Sequence, residues 1–232
     1  MIAREGLIFI FIGLAITAVF ILTAVRYDNK LLFSGSVIFG LLTLFTLFFF
    51  RDPVREVKEV PNILVSPADG KIVAIDTLEN ESFIGGKALK VSIFLSVFDV
   101  HINRIPTSGK IDYVKYNPGK FLAAYEDKAS LVNEQTEIGM TADSGGKLIV
   151  KQIAGLIARR IVCKLEENQT VATGERFGLI RFGSRTDIIM PFNSDLKIAM
   201  GQKVKGGLTT IGYLKEAVSK AEPAGEENVN EL

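Results

Sequence analysis

The sequence predicts a mainly β body (α+β overall), a Gly-rich, short-stranded barrel or sandwich, preceded by an N-terminal transmembrane helical hairpin. The hairpin rests on two uncharged apolar runs, Gly6 to Val25 and Leu31 to Phe50. The β body rests on the remainder of the chain to residue 215, where short apolar runs are punctuated by Gly, Pro, Asn and Asp. Each apolar run of the hairpin is 20 residues, which as a helix spans about 30 Å, the thickness of a bilayer's hydrocarbon core. The polar stretch Arg26-Tyr27-Asp28-Asn29-Lys30 separates them and is long enough for a tight turn. Neither run shows the polar face of a soluble core hairpin. No convincing small-x-small cleavage site precedes Arg26 and a second apolar run follows, which argues against a signal peptide.

The hairpin reading places both chain ends on one side. Arg4, Arg51, Arg55 and Lys58 flank that side, and Arg26 and Lys30 flank the other, which favours a cytoplasmic body at the cell membrane. Cys163 is the single cysteine, so no intrachain disulfide can form, in keeping with a reducing compartment. It lies in the apolar run Ile161-Val162-Cys163 and reads as core. One histidine and one cysteine leave no basis for a histidine or zinc cluster, so no metal is expected. Net charge is +1, but residues 51–215 carry +4 and residues 216–232 carry −4. The mildly basic body suits an anionic surface and is too weak a signal for nucleic acid. The chain thus divides into three parts: the hairpin 1–50, the body 51–215, and an acidic tail 216–232 that reads as disordered.

Asp52-Pro53 ends any helix continuing from the second span. Strands are expected at Ile63–Val65, Lys71–Ile75, Ala88–Phe94, Gly109–Tyr116, Lys147–Ile153, Arg159–Lys164, Phe177–Ile180 and Ile188–Met190. Shorter runs near Asp195–Ile198, Met200–Val204 and Gly206–Gly212 complete the pattern. Ser66-Pro67-Ala68-Asp69-Gly70 reads as a hairpin turn, and Gly183-Ser184 as a tight turn between two strands. Phe121–Asn133 reads as the body's main helix or as an ordered loop. There is no fixed-period repeat, P-loop or dinucleotide fingerprint.

His101 is the only histidine, within Phe98-Asp99-Val100-His101-Ile102-Asn103-Arg104. With Phe49-Phe50-Arg51-Asp52-Pro53, Ser66–Gly70, Asp127-Lys128-Ala129-Ser130, Asn133-Glu134 and Phe182-Gly183-Ser184-Arg185, it forms a set in fixed order. That set resembles the phosphatidylserine decarboxylase proenzymes of the short, membrane-anchored type, over about Phe49 to Gly212.

The resemblance implies a pyruvoyl enzyme that cuts itself at Gly183-Ser184. Ser184 Oγ would attack the Gly183 carbonyl to give an ester. β-Elimination would leave dehydroalanine, and hydrolysis would convert this to a pyruvoyl group and ammonia. The large chain, 1–183, and the small chain, from Ser184, would remain together as a heterodimer. The amine of phosphatidylserine in the bilayer would form a Schiff base with the pyruvoyl keto carbon, which then acts as the electron sink for loss of CO2. The product would be phosphatidylethanolamine.

The residue types suit this chemistry. Gly183 tolerates a strained turn. Ser184 needs a base, and His101 is the one side chain whose ordinary pKa lies near neutrality. The resemblance gives Asp69 the role of orienting that base, so the expected site is Asp69–His101–Ser184. His101 is also the expected proton donor in decarboxylation. Longer family members have two histidines here; His101 matches the first and Arg104 the second, the one usually given the self-cleavage role. A single histidine then serves both steps, or cleavage relies on strain and another base. Phe121 and Leu122 are candidates to approach the acyl chains. The competing readings are an archaetidylserine decarboxylase, a serine hydrolase using Ser184 uncut, and a non-catalytic, membrane-tethered carrier-type barrel.

Overall fold

The computed structural model describes residues 1–57, 60–120, 132–155, 160–181 and 183–215. The expected helix or loop at 121–133 (but for its last two residues), the motif Asp127–Ser130, the candidate lipid contacts Phe121 and Leu122, and the tail 216–232 lie outside the described residues. A single 3-10 turn at Arg4–Gly6 leads into α1 (Leu7–Tyr27), and α2 (Lys30–Phe49) comes directly after it. Asp28 turns the chain with φ of 45°, and Asn29 caps α2 by accepting from the Leu31 and Leu32 N–H groups. Both helices are long and apolar enough to cross a membrane. Only 11% of each most apolar stretch is buried, so neither helix is a core helix of the body. Phe11, Leu22, Leu31 and Leu41 point outward instead.

The two ends of the hairpin are tied together. Ala3 N–H donates to the Phe50 carbonyl (2.8 Å), and Asp52 N–H donates to the Met1 carbonyl (2.7 Å). Ala3, Phe49 and Phe50 then pack with Val100, Ile102 and Leu179 of the body in one buried cluster. An ion-pair chain reinforces this seam. Glu5 binds Lys164 (2.5 Å) and Arg176, Arg176 binds Asp52 (2.9 Å), and Asp52 binds Arg104 (3.2 Å).

The described body is built on β-strands. Its strands are β1 (Ile63–Val65), β2 (Gly70–Glu81), β3 (Gly86–Leu95), β4 (Ile102–Arg104), β5 (Gly109–Asn117), β6 (Gln135–Ala142), β7 (Lys147–Ala154) and β8 (Ile161–Cys163). They continue with β9 (Thr170–Val171), β10 (Arg176–Ile180), β11 (Ser184–Pro191), β12 (Asp195–Leu196), β13 (Lys203–Val204) and β14 (Thr210–Tyr213). A curled eight-stranded sheet runs β13-β2-β3-β11-β7-β6-β5-β9, and its described pairings are antiparallel. Two small sheets, β1-β14-β12 and β4-β10-β8, complete the body.

The core arises from alternation along these strands. Val91, Ile93 and Leu95 of β3, Leu148 and Val150 of β7, and Ile188 and Met190 of β11 share the main cluster with Ile111, Ile138 and Met140. Cys163 packs against this cluster half-buried, and burial raises its thiol pKa.

Two turn expectations are corrected. The Ser66–Gly70 stretch does not close a hairpin, because β1 pairs with β14 while β2 pairs with β3 and β13. Gly70 is needed for approach instead: a Cβ there would run into the Phe94 carbonyl oxygen. Nor is Gly183-Ser184 a tight hairpin turn. β10 lies in the β4-β10-β8 sheet and β11 lies between β3 and β7, so the chain crosses from one sheet to another at this point.

Candidate active site

Ser184 opens β11 and is fully buried. It stands between Leu95 of β3 and Ala154 of β7. Alternation puts it on the same face as Thr186, Ile188 and Met190, toward the core. Its Oγ has no hydrogen-bond partner. Buried hydroxyls are nearly always satisfied, so an orphan at this position calls for an explanation. Gly183, one residue upstream, has φ of 61° with open space where a Cβ would stand. Only conformation, not crowding, therefore calls for glycine at this position.

His101 reaches this bond from the stretch before β4. Its Nε2 accepts from the Gly183 N–H at 3.3 Å, and its Nδ1 lies 3.0 Å from the Asp99 carbonyl. The carbonyl can only accept, so Nδ1 carries the proton and Nε2 presents its lone pair to the Gly183-Ser184 backbone. The Phe49 ring, from the last residue of α2, lies against the imidazole with centroids 4.3 Å apart. Burial pushes the His101 pKa down to about 4, with Arg51 adding to the effect and the Asp99 bond and the charges of Asp99 and Asp69 opposing it. The imidazole is neutral at pH 7, as a base must be.

Asp69 stands nearby but is engaged elsewhere. It takes a two-pronged ion pair from Arg55 (2.5 and 2.8 Å) and a bond from the Gly206 N–H (2.7 Å). It acts on His101 through charge, and the orienting contacts on the imidazole are Asp99 and Phe49. Its loop does touch the histidine segment, since the Pro67 carbonyl accepts from the Arg104 N–H at 2.9 Å. Arg104 itself is structural: its guanidinium binds Asp52, the Pro53 carbonyl and the Gly174 carbonyl.

A polar cluster supports β11 from the core side. Asn103 donates to Thr186 Oγ1 (3.1 Å) and accepts from Gln152 Nε2 (2.9 Å), and all three are buried. Asn133 donates to the carbonyl of Ala154, the cross-strand neighbour of Ser184, at 2.7 Å. Among the described residues no group of three or more His, Cys, Asp or Glu is placed to hold a metal ion.

The sequence pattern of the phosphatidylserine decarboxylase family matches residues 42–212, from α2 to β14. The chain belongs to the phosphatidylserine decarboxylase family. It is 46% identical to a phosphatidylserine decarboxylase proenzyme of Desulfotalea psychrophila over 92% of this chain and 96% of that one. A proenzyme of the same name from Symbiobacterium thermophilum is 45% identical over 93% and 96%, and one from Rickettsia typhi 44% over 90% and 88%. The match to the decarboxylase family takes in Phe49, His101, Gly183 and Ser184, the residues that the fold brings together.

Several residues around this candidate site are not evident from the sequence. Phe49 reads as one more apolar residue of a span, yet it is buried against His101. Arg55 reads as a flanking charge, yet it holds Asp69. Asn133 is different, because it stands in the family-like set of residues; only its bond to Ala154 has no signal in the sequence.

Proposed function

We propose that this protein is a proenzyme that cuts itself between Gly183 and Ser184 and then decarboxylates phosphatidylserine to phosphatidylethanolamine. The observation that carries the reading is the unpartnered, buried Ser184 Oγ beside a left-handed Gly183 whose N–H rests on His101. The family relationship supports the same reading.

Neutral His101 takes the Ser184 hydroxyl proton as Oγ attacks the Gly183 carbonyl carbon. The Gly183 N–H bond is long at 3.3 Å, so the imidazole has little to give up in turning to the hydroxyl. The N–O shift breaks the Gly183–Ser184 amide and forms an ester. Removal of the Ser184 Cα proton then expels the Gly183 carboxylate. Hydrolysis of the resulting N-terminal dehydroalanine releases ammonia and leaves a pyruvoyl group at residue 184. The residues present fit that group, because position 184 is buried, its Oγ is held by nothing, and the neighbouring Gly183 N–H donates to His101.

A pyruvoyl group supplies an electrophilic carbonyl that draws in the electrons released with CO2. His101 supplies the proton that the α-carbon then needs. With its pKa near 4 the imidazole holds no extra proton at pH 7, so it relays one taken up from solvent. Asp69, fixed by Arg55, contributes a negative charge that favours the protonated state. The hairpin crosses the cell membrane with the body on the cytoplasmic side, so the site meets a lipid headgroup at the seam where α2 ends. The two chains stay together as a heterodimer.

Intact mass tests the reading directly. Purified protein should resolve into two chains, the smaller starting with a pyruvoyl at residue 184, and should convert phosphatidylserine into phosphatidylethanolamine without added cofactor. A single uncut chain of 232 residues with no turnover would overturn it.

A further inference from the structure

The cations around the site divide into two kinds. Arg55 is paired with Asp69, Arg104 and Arg176 with Asp52, and Arg185 with Asp187, while Arg51 donates to the Phe48 and Phe98 carbonyls. Arg181 is different. Its guanidinium has no hydrogen bond or ion pair among the described residues, and its Nε is buried without a partner. Its backbone N–H donates to the Arg160 carbonyl at 3.3 Å. Burial, together with the smaller effect of the like charge of Arg160, lowers its pKa. The acid whose charge acts on it, Glu5, is already committed to Lys164 and Arg176. A partly desolvated guanidinium beside a second cation is unfavourable unless an anion completes it.

Its position says which anion. Arg181 lies over the Phe9 ring of α1, 5.1 Å from the centroid. Phe9 stacks on Phe50 (5.9 Å), Phe50 meets Phe49 edge-on (5.0 Å), and Phe49 lies on His101 (4.3 Å). Arg181 therefore sits where the hairpin meets the stretch that leads to Ser184. In the substrate, one oxygen and two carbons separate phosphorus from the amino nitrogen. An amine held at residue 184 puts its phosphodiester within reach of a residue a few positions away.

We propose that Arg181, with Arg160 beside it, is the subsite for the phosphodiester of the lipid substrate. This rests on the decarboxylase reading above. The planar guanidinium offers paired N–H donors that match two phosphate oxygens. Its seat on Phe9 holds the fork at the seam, so the headgroup is drawn to the reactive position while the acyl chains remain beside the hairpin.

The test compares wild-type enzyme with Arg181→Gln and Arg181→Lys in mixed micelles holding constant phosphatidylglycerol. Splitting into two chains is checked first by denaturing gel. Arg181→Gln should split, then show KM for phosphatidylserine raised about 10- to 100-fold, with a much smaller change in kcat, since a charge-assisted contact is lost. Arg181→Lys should recover part of the loss. Micelle binding, measured by sedimentation, should be unchanged.

An unchanged KM in Arg181→Gln overturns the subsite. So does a loss that lies wholly in micelle binding, which would make Arg181 a general membrane cation. Inhibition by inorganic phosphate as strong as by glycerophosphoethanolamine would identify a free-phosphate site and overturn the proposal as well. Should Arg181→Gln fail to split, wild-type enzyme and Arg181→Lys decide the matter by competition. Glycerophosphoethanolamine must then inhibit at least about tenfold better than ethanolamine, and Arg181→Lys must narrow that gap. Equal inhibition overturns the proposal. An inactive wild type would instead sink the decarboxylase reading, and the subsite with it.

Discussion

Ser184 and Arg185 are neighbours at the start of β11, both almost wholly buried, and their polar atoms are treated in opposite ways. Arg185 binds Asp187 through Nε (2.6 Å) and Nη2 (3.2 Å), and Ser92 through Nη2 (2.6 Å). Ser184 Oγ binds nothing. Strand alternation sends the two side chains to opposite faces of the sheet. One face uses its buried charge to fix β11 against β3. The other leaves a hydroxyl unpartnered, one residue from the Gly183 N–H that donates to His101. The pair teaches that equal burial in one strand can go with opposite bonding: one polar group is fully engaged and its neighbour is left available.

The sharpest way to break the comparison is Ser184→Ala. It should abolish splitting altogether, leaving one chain on a denaturing gel. Its thermal midpoint should be equal to wild type or higher, because the lost hydroxyl makes no bond. A split mutant would end the assignment of Ser184.

His101→Ala should come next, slowing splitting by about 10²–10⁴-fold as general-base assistance is lost. The pH profile identifies the same group. With a pKa of about 4 rather than the ordinary 6.5, wild-type splitting should rise through about pH 4 and be level by neutrality. Half-maximal splitting near 6.5 would mean that His101 is solvated in the reacting state. The shift also bears on stability. Between pH 6.5 and about 4 the unfolded chain takes up a proton at His101 that the folded chain refuses. Stability from this group is therefore present above 6.5 and falls as pH drops through that window.

Arg185→Met tests the structural side. It leaves Asp187 buried without its partner and should destabilise by about 3–5 kcal/mol in urea titration. In the molecules that remain folded, the splitting rate should change little. A large rate effect at normal stability would mean that Arg185 belongs to the chemistry.

The smallest effect is expected of Asp69→Asn. Because Asp69 influences His101 by charge and makes its bonds to Arg55 and Gly206, splitting per folded molecule should slow by less than about tenfold, roughly 1.4 kcal/mol. A loss as large as in His101→Ala would mean that the carboxylate turns to the imidazole during reaction.

Much of the architecture is legible in the sequence because it is written locally. The uncharged runs at 6–25 and 31–50 become α1 and α2 within a residue or two, since lipid-scale apolar length needs no tertiary context. Strands with strong alternation, such as Ala88–Phe94, extend only at their ends. β6 is hidden by Gln135, Thr136, Glu137 and Gly139, and forms because β5 and β7 pair with it from both sides. The same division holds for the site. His101 and the Gly183-Ser184 pair stand out as residue types, and the fold sets His101 Nε2 3.3 Å from the Gly183 nitrogen. The partners of Asp69 and the Phe49 wall depend on contacts distant in sequence, which no local pattern records.

The position of the Gly183-Ser184 bond between two sheets has a consequence for how the molecule comes apart. Every strand downstream of it except β12 pairs with a strand upstream: β11 with β3 and β7, β13 with β2, and β14 with β1. Cutting there removes a covalent link but no ladder. What changes is molecularity. Unfolding of the uncut chain is a one-body event, whereas the cut form unfolds into two separate polypeptides, and its recovery then depends on their concentration. The central strand of the small chain carries hydrophobic positions that have no surface to rest on once released. Maturation would thus convert a reversible folding equilibrium into a kinetically guarded one, with the native ladders as the only memory of how the halves fit.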